Sequence, residues 1–302
     1  MISDKIKKVI KNPKYLFIIL SYFGFFKRMD DKRYLQIVYR IRTGQDLDID
    51  HPKSFNEKLQ WLKLYDRKPE YTTMVDKYAV KKYVADIIGE QYIIPTLGVW
   101  DHFEDIDFDK LPNKFVLKCT HDSGGLVICR DKSKFNVKIA KRKITKSLKR
   151  SFFYLGREYP YKDVKPRIIA EKYMEDSGTT DLKDYKIMCF NGRVRCSFVC
   201  SERSEHLKVT FYDSDWKRMP FERHYPASKE DIPKPENYDK MVELAEILSK
   251  DIPFVRVDFY EINGHIYFGE LTFYPGAGFE EFTPDKWDKV LGDWIVLPKK
   301  RM

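Results

Sequence analysis

The sequence predicts an α+β fold whose sheets are antiparallel. Three observations carry that prediction. Two stretches of alternating apolar residues, 115–130 and 254–272, each fold back on themselves across a glycine-bearing turn. Strand-like and helix-like segments mix without the regular strand–helix–strand alternation that builds a parallel sheet. The composition, 43% apolar and 15% aromatic over 302 residues, supplies a sizeable core and excludes disorder and fibrous repeats.

Charge and cysteine usage narrow the class further. Lys and Arg number 56 against 46 Asp and Glu, a net charge of +10. So many acids argue against a nucleic-acid coat, and a globular protein facing anionic partners fits better. Five cysteines, at 119, 129, 189, 196 and 200, make no CxxC pair. Cys196 and Cys200 fall in an apolar strand-like run and read as small buried hydrophobes, which implies a reducing, cytoplasmic setting. The histidines are scattered, so no Cys/His metal cluster is expected.

Taken in order, residues 1–50 are helical in pattern and basic. Within them Tyr15–Phe26 (YLFIILSYFGFF) is almost wholly apolar, flanked by Lys11, Lys14, Lys27 and Arg28. Twelve helical residues rise about 18 Å, too little for a hydrocarbon core of about 30 Å. Phe25-Phe26-Lys27-Arg28 is no signal-peptidase site. A buried helix and an interfacial membrane anchor both remain open. Ser54 or Asn56 is expected to cap a helix that buries Leu59, Trp61 and Leu62. The next helix should turn Val75, Tyr78, Ala79, Tyr83 and Ile87 inward and stop at Gly89. Residues 91–100 read as a strand, and the first hairpin follows, with His121–Gly125 as its tip. A helix over 136–152 places Ala140, Ile144, Leu148 and Phe152 on one face; positions 132–150 carry nine Lys or Arg and no acid. Strands are expected at 167–173, 184–190, 194–200 and 208–212, a loop at 220–235, a helix at 237–250, and the second hairpin turning on Asn263-Gly264.

The second hairpin carries the chemistry. Pairing across Asn263-Gly264 sets residues whose numbers sum to 527 roughly opposite, so Asp258 stands within one position of Glu270. Glu270 and Thr272 share a face. Two carboxylates and a hydroxyl together suit Mg²⁺, although a solvated face of charged residues is the ordinary alternative. In the first hairpin Lys118 ends an apolar strand before a Ser-Gly-Gly tip. Such a tip can wrap phosphate with backbone N–H groups, while Lys118 supplies charge. The spacing fits neither a Walker A loop nor GxGxxG.

Together these pieces resemble the ATP-grasp superfamily, in which ATP lies between two antiparallel sheets. In detail the chain resembles its TupA-like branch, associated with teichuronopeptide and other surface-polysaccharide synthesis. The segments that carry the resemblance are SFNEKLQWLKLY (54–65), DKYAVKKYV (76–84), IIPTLGVW (93–100), LPNKFVLKCTHDSGG (111–125), IIAEKYM (168–174), DYKIMCFNG (184–192) and VRVDFYEINGHIYFGELTFYPGAGFE (255–280). The resemblance implies a helical N-terminal extension over 1–50 and the first part of the ATP-grasp module over 51–112. It then implies a phosphate-loop subdomain over 113–174 and a magnesium-site subdomain over 175–302. It further implies that Lys77 and Lys118 bind the ATP phosphates and that Ser123, Gly124 and Gly125 form the phosphate loop. Glu171, Lys172, Tyr173 and Met174 would line the adenine, and Asp184 would accept the ribose hydroxyls. Asp258, Glu270 and Thr272 would hold Mg²⁺, with Thr272 replacing the usual Asn, and Arg256 would stabilise the acyl-phosphate.

The implied reaction is ATP-dependent joining of a carboxylate to an amine or amino acid. The implied acceptor is an anionic polysaccharide or lipid-linked saccharide precursor, reached from the cytoplasm or at the inner membrane surface. In-line phosphoryl transfer needs positioning and charge neutralisation rather than a side-chain nucleophile, which agrees with the absence of a Ser/His/Asp or Cys/His arrangement. The rival reading is a glycosyltransferase binding a nucleotide-sugar through DxD. Asp105/Asp107, Asp107/Asp109 and Asp213/Asp215 match that pattern, but none follows a strand in a Rossmann-like context. A third reading takes the basic helix and residues 15–26 as a non-enzymatic membrane or polyanion adaptor.

Overall fold

The computed structural model describes residues 12–177, 182–202 and 207–300. The N-terminal layer is helical: α1 (Tyr15–Tyr22), α2 (Asp31–Thr43), α3 (Phe55–Tyr65), α4 (Glu70–Val75) and α5 (Ala79–Ile88). Ser54 caps α3 in a reciprocal box with Glu57, whose carboxylate takes the Ser54 N–H, and Leu59, Trp61 and Leu62 are buried. The helix expected around Val75 is in fact two. Asp76 to Tyr78 interrupts it, so the helical phase restarts at Ala79 and the buried face is Val80 and Val84. Tyr78 and Ile87, expected inside, are exposed.

The remaining chain builds two principal sheets, each over its own apolar core. The smaller contains β1 (Thr96–Trp100), β2 (Phe115–Cys119), β3 (Leu126–Cys129) and β4 (Ile168–Lys172), in the order β1-β4-β2-β3 and antiparallel throughout. Residues 91 and 92, expected as strand, belong instead to a 3₁₀ turn (Glu90–Tyr92). Helix α6 (Val137–Leu148), capped by Asn136, packs Ala140 and Ile144 beneath this sheet. It ends before Phe152, which instead precedes a separate short helix, α7 (Phe153–Gly156).

The larger sheet orders β10-β9-β5-β6-β7, from β5 (Asp184–Phe190), β6 (Arg193–Ser201), β7 (Lys208–Asp213), β9 (Phe254–Ile262) and β10 (His265–Thr272). Helix α8 (Tyr238–Leu248) packs on it. The stretch 220–235 is not all loop: β8 (Glu222–Arg223) pairs with β11 (Phe282–Thr283) ahead of α9 (Lys286–Asp293). A single bridge, Ile93 to Phe268, joins the approach to β1 with β10 and sets the two sheets on either side of a cleft. All five cysteines are buried and unpaired. Among the described residues no helix is long and apolar enough to cross a membrane.

Candidate functional site

The cleft walls are built by strand register. At the second hairpin Asn263 and Gly264 both adopt left-handed φ, +51° and +73°. Both central residues left-handed is what a two-residue type I′ turn requires. From that turn the partners sum to 527 as far as Phe268 and Phe259. A bulge at Gly269 then advances β10 by one residue and sets Glu270 directly opposite Asp258. A Cβ at position 269 would stand 3.0 Å from the Asp258 carbonyl oxygen, tighter than ordinary packing, so the bulge favours glycine. Lys186 on β5 faces Asp258 from the other side. Glu270, Asp258 and Lys186 thus form one row across three strands on the face toward the cleft.

Arg256 lies two residues before Asp258 on β9, on the same face and opposite Thr272. Its Nε and Nη2 donate to the two Asp258 oxygens at 2.6 and 2.7 Å, and Nη2 also reaches Glu270 Oε1 and Thr272 Oγ1, each at 3.0 Å. Lys186 donates to Asp258 and pairs with Asp184 at 2.8 Å. Burial disfavours the charged arginine, but Asp258 outweighs it and holds the guanidinium pKa well above its ordinary value. Lys186 follows the same logic, with burial outweighed chiefly by Asp258. Desolvation would raise Glu270, yet Arg256, Lys77 and Lys186 pull its carboxyl below the usual range.

The opposite wall is cationic. Glu171 on β4, 5% exposed, is clamped between Lys81 at 2.6 Å and Lys118 at 2.5 Å. Burial pushes the Glu171 carboxyl up, and the two lysines overcome it. For Lys81 burial dominates over Glu171 and lowers the ammonium pKa. The hairpin tip is tied by Asp122, whose Oδ1 accepts from the N–H groups of Gly124 (3.3 Å) and Gly125 (2.9 Å) and whose Oδ2 accepts from Ser147. Lys77 Nζ donates to the Asp122 carbonyl at 2.5 Å. A Cβ on Gly125 would stand 2.5 Å from Cys119 Sγ, so the loop can fold this tightly only with glycine there.

Between the walls lies a cavity of about 340 Å³ that meets Lys77, Lys118 and Ser123 on one side and Asp184, Asp258 and Glu270 on the other. A second cavity of about 330 Å³ shares Lys118, Leu126, Glu171 and Tyr260 and runs out between Val116, Ile128 and Met174. The pair offers a partly apolar slot, edged by Arg130, Lys172, Glu175 and Asp176, that opens onto a charged chamber, an arrangement that suits a purine joined to a polyphosphate.

Most of the expected residues meet here. Lys77, Lys118, Ser123, Gly125, Glu171, Asp184, Asp258 and Glu270 line the charged chamber, while Lys172, Tyr173 and Met174 line the slot. Gly124 bonds back to Asp122, and both glycine N–H groups expected to wrap phosphate are turned onto that carboxylate. Arg256 and Thr272 sit behind Glu270 in direct contact with it. Three contributors escaped the sequence reading. Lys81 stands four residues beyond Lys77, in the same basic segment; Lys186 is two residues from Asp184 on a predicted strand and therefore shares its face; Asp122 was legible only as a turn residue. The DxD pairs lie elsewhere. Asp107 caps a 3₁₀ turn and pairs with Lys110, and Asp213 accepts from the N–H groups of Asp215 and Lys217.

Asp258, Glu270 and Thr272, the residues expected to hold Mg²⁺, offer hard oxygen of the type that ion takes, and in this structure the same oxygens accept from Arg256 and, at Asp258, from Lys186. Among the described residues no cluster of three or more His, Cys, Asp or Glu exists to hold a metal by protein ligands alone. Two carboxylates completed by phosphate oxygens and water are what Mg²⁺ usually accepts.

The family model described as TupA-like ATPgrasp matches residues 57–296. No curated protein matches the chain. Solved structures similar to it include a D-alanine–D-alanine ligase from Bacillus anthracis complexed with ATP, at 16% identity and TM-score 0.44, covering 74% of this chain and 63% of that one. A D-alanine–D-alanine ligase from Helicobacter pylori is 14% identical at TM-score 0.40, covering 81% of this chain and 70% of that one. The ATP-grasp ligase PsnB, complexed with a precursor peptide and AMPPNP, is 10% identical at TM-score 0.37, covering 72% and 56%. The chain therefore spans less than two thirds of the Bacillus anthracis and PsnB chains.

Proposed function

Because the chain belongs to the TupA-like ATP-grasp family, we propose that it is an ATP- and Mg²⁺-dependent carboxylate–amine ligase that forms ADP. The observation that carries this reading is the pairing of opposite walls: Lys81, Lys118 and Lys77 face the acidic row of Asp258 and Glu270 across one chamber. In-line transfer of a γ-phosphoryl group needs such cations and carboxylates and no side-chain nucleophile.

Each group then has a task. The slot between Val116, Ile128 and Met174 takes the adenine, with the β4 segment Glu171–Met174 along its edge. Asp184, at the start of β5 and lining the chamber, would accept the ribose hydroxyls. Lys118 and Lys81, held apart by Glu171, present charge to the phosphates, and Lys77 braces the Ser123–Gly125 loop over them. Asp258, Glu270 and Thr272 would hold Mg²⁺, which when bound neutralises and orients the transferring phosphate. Arg256, kept charged by Asp258 and in contact with Glu270 behind the chamber, would stabilise negative charge on the substrate carboxylate and the acyl-phosphate made from it. The amine then displaces phosphate.

The acceptor we propose is a carboxylate of an anionic saccharide, free or lipid-linked, joined to an amino acid or other amine. The family's association and the basic surface support this. Positions 132–150 put nine Lys or Arg along and beside α6, on the subdomain that carries the phosphate loop, and the whole chain is +10. Such a field raises the local concentration of a polyanion.

Incubating the protein with Mg²⁺, ATP, a uronic-acid oligosaccharide and hydroxylamine tests the reading. An acyl-phosphate would be trapped as the hydroxamate with one ADP released per trap. Release of AMP and pyrophosphate would overturn it, and so would transfer of sugar from a nucleotide-sugar.

A further inference from the structure

The apolar segment 15–26 proves to be neither wholly core nor wholly exposed. One side of α1 is packed: Ile18 and Ser21 are buried, and Phe17 stacks on Phe26 with ring centroids 4.0 Å apart and lies 5.7 Å from Tyr34. The turn out of the helix is fastened beneath. Arg157, 1% exposed, donates to the Phe26 carbonyl at 2.6 Å, pairs with Asp31 at 3.3 Å and lies 4.4 Å over the Tyr34 ring. The segment is thus rigidly joined to the body of the protein rather than tethered to it.

Among the described residues no ring or ion pair covers Phe23, Phe25 or Leu16 on its other side. Phe23 is 74% exposed and Phe25 71%, on either side of Gly24, whose φ of +82° turns the chain sharply. Tyr22 and Leu16 continue the patch at 42% and 48%. An apolar groove of about 380 Å³ runs from it between Leu16, Leu20, Phe26, Ile37 and Ile41. Lys14, Lys27 and Arg28 are exposed around it, and among the described residues none of the three is in an ion pair. Lys11 precedes them, outside the described residues. Two phenylalanines held out at a turn are costly to leave in water, and monomeric proteins rarely do so without a use for it.

We propose that this turn seats the protein on an anionic lipid surface, with Phe23 and Phe25 entering the acyl boundary and Lys14, Lys27 and Arg28 meeting headgroup phosphates. The charge around the patch selects this occupant. Aromatic tips ringed by lysine and arginine are the pattern an interface rewards, and each basic residue adds attraction that falls off within a Debye length. The inference stands on the packing of α1 and does not depend on the reaction assigned to the cleft.

Deleting the whole segment would strip Phe17 and Phe26 from Tyr34 and Arg157 and would unfold what it tests. Point substitutions avoid this. The full chain should sediment with vesicles of mixed phosphatidylglycerol and phosphatidylcholine, should do so weakly with phosphatidylcholine alone, and should be released by salt. Phe23→Ser with Phe25→Ser should weaken vesicle binding at least about tenfold, while the melting temperature and its rise with ATP stay as in the parent. Lys14→Glu with Arg28→Glu should abolish the preference for anionic vesicles. Unchanged vesicle binding in the Phe23/Phe25 variant overturns the proposal. So does failure of the parent to bind vesicles, or a parent dimer that this variant makes monomeric, which would assign the patch to a second copy.

Discussion

Glu171 is the group whose removal tests the cleft most sharply. In the free protein its carboxylate is shared by Lys81 at 2.6 Å and Lys118 at 2.5 Å. Glu171→Gln keeps the shape and one acceptor oxygen, removes the charge, and turns an amide NH2 that cannot accept toward the second lysine. A charge-assisted hydrogen bond is worth roughly 1.5–3 kcal/mol and about twice a neutral one, so the contact that keeps the oxygen loses on the order of 1 kcal/mol and the other at least as much. Lys118 is 26% exposed on its side chain, so part of its share is screened by water. The expected loss is about 2 kcal/mol. For a chain this size that corresponds to a fall of about 3 °C in Tm. The pH dependence has a definite sign. Glu171 is held below its ordinary pKa, so its contribution is present above the unfolded carboxylate value and disappears as pH falls through the lower folded value. The substituted protein should therefore lose less stability on acidification than the parent. Saturating ATP with Mg²⁺ should shrink the deficit, because phosphate oxygens then satisfy the two lysines. Thermal melts of both proteins, with and without nucleotide and across that pH range, read all three effects. An equal deficit with and without ATP would refute the assignment of Lys81 and Lys118 to the phosphates.

Other perturbations separate the two walls. Lys118→Ala should raise the Kd for ATP, read by calorimetry, whereas Glu270→Ala should abolish ADP release with modest loss of nucleotide affinity. Full turnover in Glu270→Ala would remove the metal assignment. Thr272→Asn should retain activity, since the amide offers an equivalent oxygen. Gly269→Ala forces a Cβ to 3.0 Å from the Asp258 carbonyl; it should cost about 1–2 kcal/mol and lower kcat, because relieving the contact moves Asp258 away from Glu270. KM for an anionic saccharide acceptor should rise with salt while KM for ATP changes less, measured by ADP release across ionic strengths.

The sequence by itself determined the elements that depend on local pattern. Ser54 and Glu57 announce the start of α3, and Asn263-Gly264 announces the turn that pairs β9 with β10. Alternation put Glu270 and Thr272 on one face. Those signals survive because capping, turn geometry and the two-residue period act between near neighbours. Tertiary structure decided the rest. Arithmetic from the turn left Glu270 one position from Asp258, and the bulge at Gly269 closed that gap. The phase of α5 was lost where Asp76 leaves the helix to pair with Arg167 at 2.9 Å, a partner 91 positions away. Lys81 and Glu171 are likewise far apart in the chain, and nothing local says they meet. The split character of residues 15–26 also needed the fold, since Ile18 and Phe23 are equally apolar and what packs against one side, Tyr34 on Phe17 and Arg157 on the Phe26 carbonyl among it, distinguishes core from surface. Burial is a property of what lies opposite, and the chain supplies what lies opposite from a distance that no local pattern records.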